Sequence, residues 1–295
     1  MTEVERRWGI ALAGIAAFGF SFKAILIKLA YPYGVDAVTL LALRMIFALP
    51  IFLYVGFRAS RSMPPLARRD WLMVLVLGLL GYYGASILDF LGLQYVSAGL
   101  ERLILFTYPT LTLLFGVALY GRRIAGREWS AIALCYAGIA IAFTHDLRLS
   151  EDPTTTLIGA GLVFGSSVCY AIYLTGSSGM IQRIGAARFT ALAMLVSTFA
   201  TLAHFIATQP LGRLVQPWPV LGYAATMAVL CTAVPVFAQS AAIRRIGSGQ
   251  AALVGMIGPL LTIAFAALLL GEGISPAQML GAALVIAGVA IVGLK

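Results

Sequence analysis

Charge is what this chain has least of. Only 11% of its 295 residues are Asp, Glu, Lys or Arg, whereas 61% are apolar, and the mean hydropathy is +0.97. A water-soluble domain carries roughly 25% charged residues, so an ordinary globule is excluded and lipid is the solvent that accommodates the surplus apolar surface. Acids are scarcer than bases, 11 against 20. The net charge of +9 does not mark a nucleic-acid binder, because Lys and Arg sit in short clusters between apolar runs, the pattern that orients membrane helices. Cysteine is rare as well. Cys135, Cys169 and Cys231 stand singly inside apolar segments, without the spacing of a zinc site or a disulfide framework. Phosphate-cradling loops and zinc-type His spacings are missing, so no cofactor or metal is expected. The start of the chain, with Glu3, Glu5, Arg6 and Arg7, lacks the layout of a cleaved signal peptide, so the first apolar run is expected to stay as a helix.

Long apolar runs, by contrast, are abundant. A spanning helix needs roughly 20 predominantly apolar residues. Runs of that order cover 8–30, 35–57, 71–95, 98–120, 127–145, 157–177, 187–208, 218–242, 249–270 and 276–294. They predict an all-α integral membrane protein of ten transmembrane helices, with turns at Tyr31-Pro32-Tyr33-Gly34 and Met63-Pro64-Pro65. The longest polar connection, 146–156, falls near the middle.

The chain also repeats itself. A shift of 150 residues places Gly99 on Gly249, Pro109 on Pro259, Thr112 on Thr262, Gly121 on Gly271 and Gly138 on Gly288. The register extends upstream, where 82–96 falls on 232–246. Two five-helix repeats follow, 1–150 and 151–295. With the N-terminus in the cytoplasm, that side receives Arg6, Arg7, Arg58, Arg61, Arg68, Arg69 and most other bases, while the opposite side receives only Arg102, Arg148 and Arg213. Both termini are therefore expected in the cytoplasm. Five is odd, so the second repeat enters the membrane inverted, an architecture of many secondary transporters. Gly121-Arg122-Arg123 is basic on the cytoplasmic side, and its counterpart Gly271-Glu272-Gly273 is not.

Leu43-Arg44-Met45-Ile46-Phe47-Ala48 in the second run, mid-run Pro109 and Pro259, and Gly271-Glu272 ahead of a glycine-rich last run resemble the EamA-type members of the drug/metabolite transporter superfamily. The resemblance covers nearly the whole chain. It implies a multi-pass exporter or exchanger of small metabolites in the bacterial inner membrane, and bacterial members of this pattern include amino-acid exporters, some favouring aromatic amino acids. A multidrug or metabolite proton antiporter of the same fold is the alternative. Arg122 stands where the second copy has Glu272, so paired functional carboxylates are not expected there. A monomer or a homodimer fits equally.

Ionisable residues inside a helix cost roughly 2.5–3.5 kcal/mol on insertion scales and so face a cavity or a partner. Lys23, Arg44 and Asp89 are such residues. At a rise of about 1.5 Å per residue they lie roughly 9–14 Å below the outer boundary. One reading is a polar cluster on the central cavity, with Asp89 on a substrate amine and Lys23 or Arg44 on its carboxylate. The other is a structural ion pair, with Arg44 the more structural member. Lys28 reaches the interface by snorkelling. Asp89 is the one carboxylate placed deep, with Glu101 and Glu272 at the outer rim. Paired with Lys23 or Arg44 it would carry protons poorly, which favours exchange or facilitated diffusion.

In the second repeat Gln239 aligns with Asp89, and Ser166, Ser167 and Tyr170 stand roughly where Phe20, Ser21 and Lys23 do. Tyr82, Ser86, Phe106, Tyr108 and Tyr170 complete the candidate substrate-binding set, since an apolar, aromatic pocket with few polar groups suits amphipathic metabolites. Pro109, Pro235 and Pro259 are hinges or static kinks. Ala131, Gly138, Gly281, Ala282 and Gly288 allow close helix contact and read as scaffold. Two rivals stand against transport. Gly176-Ser177-Ser178-Gly179 matches a serine-protease pattern, but the topology places His204 and His145 at the other end of the membrane from Ser178. A membrane sensor would not require two inverted copies.

Overall fold

The computed structural model describes residues 3–61, 63–120, 126–149, 152–255 and 257–293. Gly121-Arg122-Arg123 and Lys295 lie outside them, as do the side chains of Ser178 and Arg244. Every regular element among the described residues is helical.

The first half runs α1 (Glu3–Ala30), α2 (Ala37–Ser60), α3 (Arg68–Gly78), a π-helical turn (Leu79–Gly84), α4 (Ala85–Gly92), α5 (Ala98–Leu105), α6 (Tyr108–Tyr120) and α7 (Gly126–Leu149). The second half runs α8 (Pro153–Ile184), α9 (Ala186–Thr208), α10 (Trp218–Ala228), a π-helical turn (Val229–Ala233), α11 (Val234–Gly255), α12 (Gly258–Phe265), a further π-helical turn (Ala266–Leu270) and α13 (Pro276–Gly293). Among the described residues eight helical stretches are long and apolar enough to cross a membrane, and Gly258–Leu270 and Pro276–Ile291 are shorter apolar helices.

Local chemistry sets the boundaries. Asp36 caps α2 by accepting from the Thr39 N–H at 2.9 Å. Asp152 caps α8 in the same way through Thr154 N–H at 2.9 Å, with Pro153 in the first turn. Gly185, at φ 83°, makes the tight reversal between α8 and α9, a conformation that favours glycine.

Several element boundaries recur at the same offset. The breaks before α6 and α12 start new helices at Tyr108 and Gly258, and α3 and α10 start at Arg68 and Trp218. The π-helical turns begin at Leu79 and Val229, and α7 and α13 at Gly126 and Pro276, again 150 residues apart. One departure overturns an expected loop. The chain turns at 93–97 between α4 and α5, whereas α11 continues unbroken through 243–248, so the eighth and ninth apolar runs join as helix. Residues 243–248 carry no proline to stop propagation.

The two halves are interleaved rather than set side by side. α1 packs along α11 and α8 along α3 and α4, while α2 packs on α9 and α7 on α13. Small residues make the last contact possible. An added Cβ at Gly138 would stand 2.5 Å from Gly281 O, and one at Gly288 would stand 2.7 Å from Ala131 O. A shift of 150 exchanges these two contacts, and Cys135 Sγ meets the carbonyl of its own counterpart, Val285. The two helices run antiparallel, so a local two-fold axis passes between them, perpendicular to their length.

Candidate functional site

The prolines act at the helix breaks. Pro109 has no N–H to return to the carbonyl of Leu105, four residues earlier, and its ring crowds that carbonyl. α5 stops there, Phe106 and Thr107 form the break, and Pro109 lies in the first turn of α6. It thus lies at a helix break and not inside a continuous helix. Ser167 of α8 donates to the freed Leu105 carbonyl at 3.1 Å, and its hydroxyl meets Thr107 Oγ1 at 2.6 Å. The second half has its own version. Pro259 lies in the first turn of α12, Ser21 of α1 donates to Gly258 O at 3.1 Å, and Thr262 Oγ1 donates back to Ser21 O at 3.1 Å. Each break is therefore held by a serine from the first helix of the opposite half. Pro235 follows the second π-helical turn, whose extra residue absorbs the bond that proline cannot make.

Between these breaks lies a cluster of buried charges. Lys23 Nζ is 2.5 Å from Asp89 Oδ2 and 4.0 Å from Glu101 Oε1. Asp89 and Glu101 thus share Lys23 as a common cation. The cluster is sealed in protein rather than set on an open cavity: the Asp89 and Glu101 side chains are 1% and 0% exposed and that of Lys23 16%. Glu101 was expected at the outer rim and Arg102 on the outer side; both are buried on α5. The turn at 93–97 and the cap above α5 account for this. Ser97 accepts from Leu100 N–H at 3.1 Å, and both Glu272 oxygens accept from Ala98 N–H at 3.1 Å, so the second half covers the start of α5. Asp146 adds to that lid, accepting from Ser97 and from Gln278.

The other cations differ in what holds them. Arg44, 4% exposed, donates to Ser86 Oγ at 3.0 Å and lies 4.9 Å over the Phe90 ring. Arg102, 6% exposed, lies 5.3 Å over the Phe106 ring, and its Nε has no hydrogen-bond partner. An added Cβ on Gly258 would meet Arg102 Nη2 at 3.1 Å, Phe106 Cζ at 3.3 Å and Ser21 Oγ at 3.4 Å. The two helix breaks therefore converge on this guanidinium.

From Arg102 a chain of rings leads away. Phe106 and Tyr108 are 5.8 Å apart, Tyr108 and Tyr170 5.1 Å, and Tyr170 and Tyr173 5.9 Å between centroids. Tyr173 meets Tyr82 at 4.8 Å, with their hydroxyls 2.9 Å apart, and stacks on Phe189 at 5.9 Å, just beyond the Gly185 reversal.

With this geometry in hand, comparison with known proteins is direct. Residues 7–144 match the EamA-like transporter family, and residues 157–294 match it again. This chain belongs to the EamA-like transporter family. It is 31% identical over 271 residues to the uncharacterized transporter YcbK of Bacillus subtilis, covering 89% of this chain and 85% of that one. It is 27% identical over 213 residues to the threonine/homoserine exporter RhtA of Escherichia coli K12, covering 70% and 68%. A solved crystal structure shares the fold at a TM-score of 0.69 and 16% identity, over 97% and 96% of the two chains. The EamA-like protein is thus a multi-pass transporter of the bacterial inner membrane.

In this transporter Lys23 pairs with Asp89, Phe106, Tyr108 and Tyr170 form a run of rings that reaches Tyr82 through Tyr173, and Ser86 belongs to Arg44. Gln239 lies half-buried on α11, and no hydrogen bond between described residues joins it to the cluster. Glu101, Arg102 and Tyr173 were not among the expected site residues. The signal available for the first two was a charged pair three residues inside an apolar run; for Tyr173 it was helical spacing from Tyr170. Of the protease pattern, Ser177 donates to Leu174 O, and His204 Nδ1 is engaged with Tyr83 OH at 3.0 Å.

Proposed function

We propose that this transporter carries small amphipathic amino acids across the inner membrane by alternating access, as an exporter or facilitator. The observation that carries the reading is Arg102, buried where two broken helices cross and without an ion-pair partner among the described residues. The first turns of α6 and α12 bring positive dipole ends to the same crossing, and such half-helix ends favour a substrate carboxylate. Lys23 is already committed to Asp89 and Arg44 to Ser86, which makes Arg102 the cation for the carboxylate, with the Phe106–Tyr108–Tyr170–Tyr173 rings flanking the side chain of the substrate. The threonine/homoserine exporter among the relatives supports the substrate class.

The two-fold relation of α7 and α13 supports ten spans arranged as inverted repeats, 1–150 and 151–295, with both termini in the cytoplasm. Paired breaks at 106–107 and before Gly258 are the points about which the halves rock.

The test is uptake into proteoliposomes of labelled threonine, homoserine, leucine and phenylalanine, with a sugar phosphate as control. Amino-acid flux that free carboxylates inhibit and their amides do not is the expected result. Inhibition by acid and amide alike, or no flux of any of the four, would overturn the reading.

A further inference from the structure

We propose that Asp89 and Glu101 form a proton-binding carboxyl pair under Lys23, and that this pair couples transport to proton movement. The inference rests on the transporter reading above and adds the coupling ion. Two features of the geometry carry it. Both carboxyl groups are buried around one ammonium, and two carboxylates that share a buried site do not both stay ionised. With both acids ionised, Asp89 Oδ1 and both Glu101 oxygens are buried without any donor. One proton on the pair removes the second buried negative charge. Lys23 decides where it sits: its ammonium is 2.5 Å from Asp89 and 4.0 Å from Glu101, so Asp89 is the ionised member and Glu101 the protonated one.

The surroundings agree with a site that can load and unload. Lys23 and Lys28 face the pair from α1, Arg44 from α2 and Arg102 from α5 itself, while Glu272 caps the start of α5. Tyr31 and Cys231 are the other titratable groups around the cluster. The pair belongs to the first half, while Glu272 and Gln278 close its outer end from the second. When the halves rock, this lid lifts and one side gains access to Glu101. The proton taken up on that side leaves Glu101 on the other, as the substrate moves in the opposite direction. Arg102 is the neighbouring residue on the same helix turn, so a carboxylate arriving there changes the charge balance that the proton satisfies.

Two measurements on the purified, reconstituted full-length protein test this. Infrared difference spectra taken as the buffer is stepped from acid to alkaline should show a carboxylic C=O band in the wild type that disappears in Glu101→Gln and shifts in Asp89→Asn. This arm needs no substrate. In the second arm, Glu101→Gln should abolish accumulation driven by an imposed pH gradient while retaining counterflow between equal pH values, which also shows that the variant is folded. A wild type without that band, or a band untouched by both substitutions, overturns the pair. Wild-type counterflow with no response to the pH gradient overturns the coupling and leaves the amino-acid reading intact. Absence of any amino-acid flux refutes the substrate assignment, and the infrared arm still decides the proton site.

Discussion

Lys23 Nζ lies 2.5 Å from Asp89 Oδ2, although 66 residues separate them in the chain. Removing one partner leaves the other charge buried and alone. Lys23→Ala and Asp89→Ala are each expected to cost on the order of 3–5 kcal/mol, whereas the paired replacement Lys23→Met with Asp89→Leu recovers most of that loss. Melting of the purified protein in detergent checks this, and single variants that melt with the wild type would show the pair to be energetically idle.

Arg102 is expected to act on substrate affinity more than on turnover. A charged hydrogen bond is worth about 1.5–3 kcal/mol, so Arg102→Gln should raise the KM for an amino acid about 10- to 100-fold. Arg102→Lys should fall between, because lysine restores the charge without the planar fork. Unchanged KM in both variants would move the carboxylate site elsewhere.

The serine stitches should be felt locally. Ser167→Ala strips the donor from Leu105 O and Ser21→Ala the donor from Gly258 O, each at about 1 kcal/mol. Hydrogen exchange should rise around 104–108 in the first variant and around 258–262 in the second. A uniform rise across the protein would mean that the stitches hold the whole fold and not the breaks.

Packing of α7 on α13 leaves no room for a side chain at Gly138. Gly138→Leu is expected to lower stability by about 1–3 kcal/mol through overpacking. Gly14 is the control, since an added Cβ there meets nothing within 4 Å. Gly14→Ala should be neutral or stabilising by about 0.5–1 kcal/mol. Equal melting temperatures for Gly138→Leu and the wild type would contradict the close contact.

Much of the site was legible in sequence because it follows from local rules. Lys23 and Asp89 are charges inside apolar runs, and such charges are costly without a partner. Tyr82, Phe106, Tyr108 and Tyr170 were expected near them as the aromatic part of the candidate site. Glu101 and Arg102 escaped because hydropathy places a residue by its distance from the end of a run. They lie only a few residues into theirs, yet Glu272 caps that run from 174 residues away and turns its first helical turn into interior.

The sequence alone determined the solvent, the helical content and the offset of 150 residues. Each follows from composition, from periodicity, or from Gly and Pro recurring at one spacing. The helix breaks were also written locally, because a proline without an N–H interrupts a helix wherever it falls. Only the tertiary structure decided that α1 pairs with α11 and α8 with α3 and α4, that Lys23 holds two acids instead of one, and that Arg102 has no ion-pair partner among the described residues. Those outcomes depend on which apolar face meets which, and apolar faces carry no address. Close packing at glycines and the few buried polar bonds across the halves select the partners.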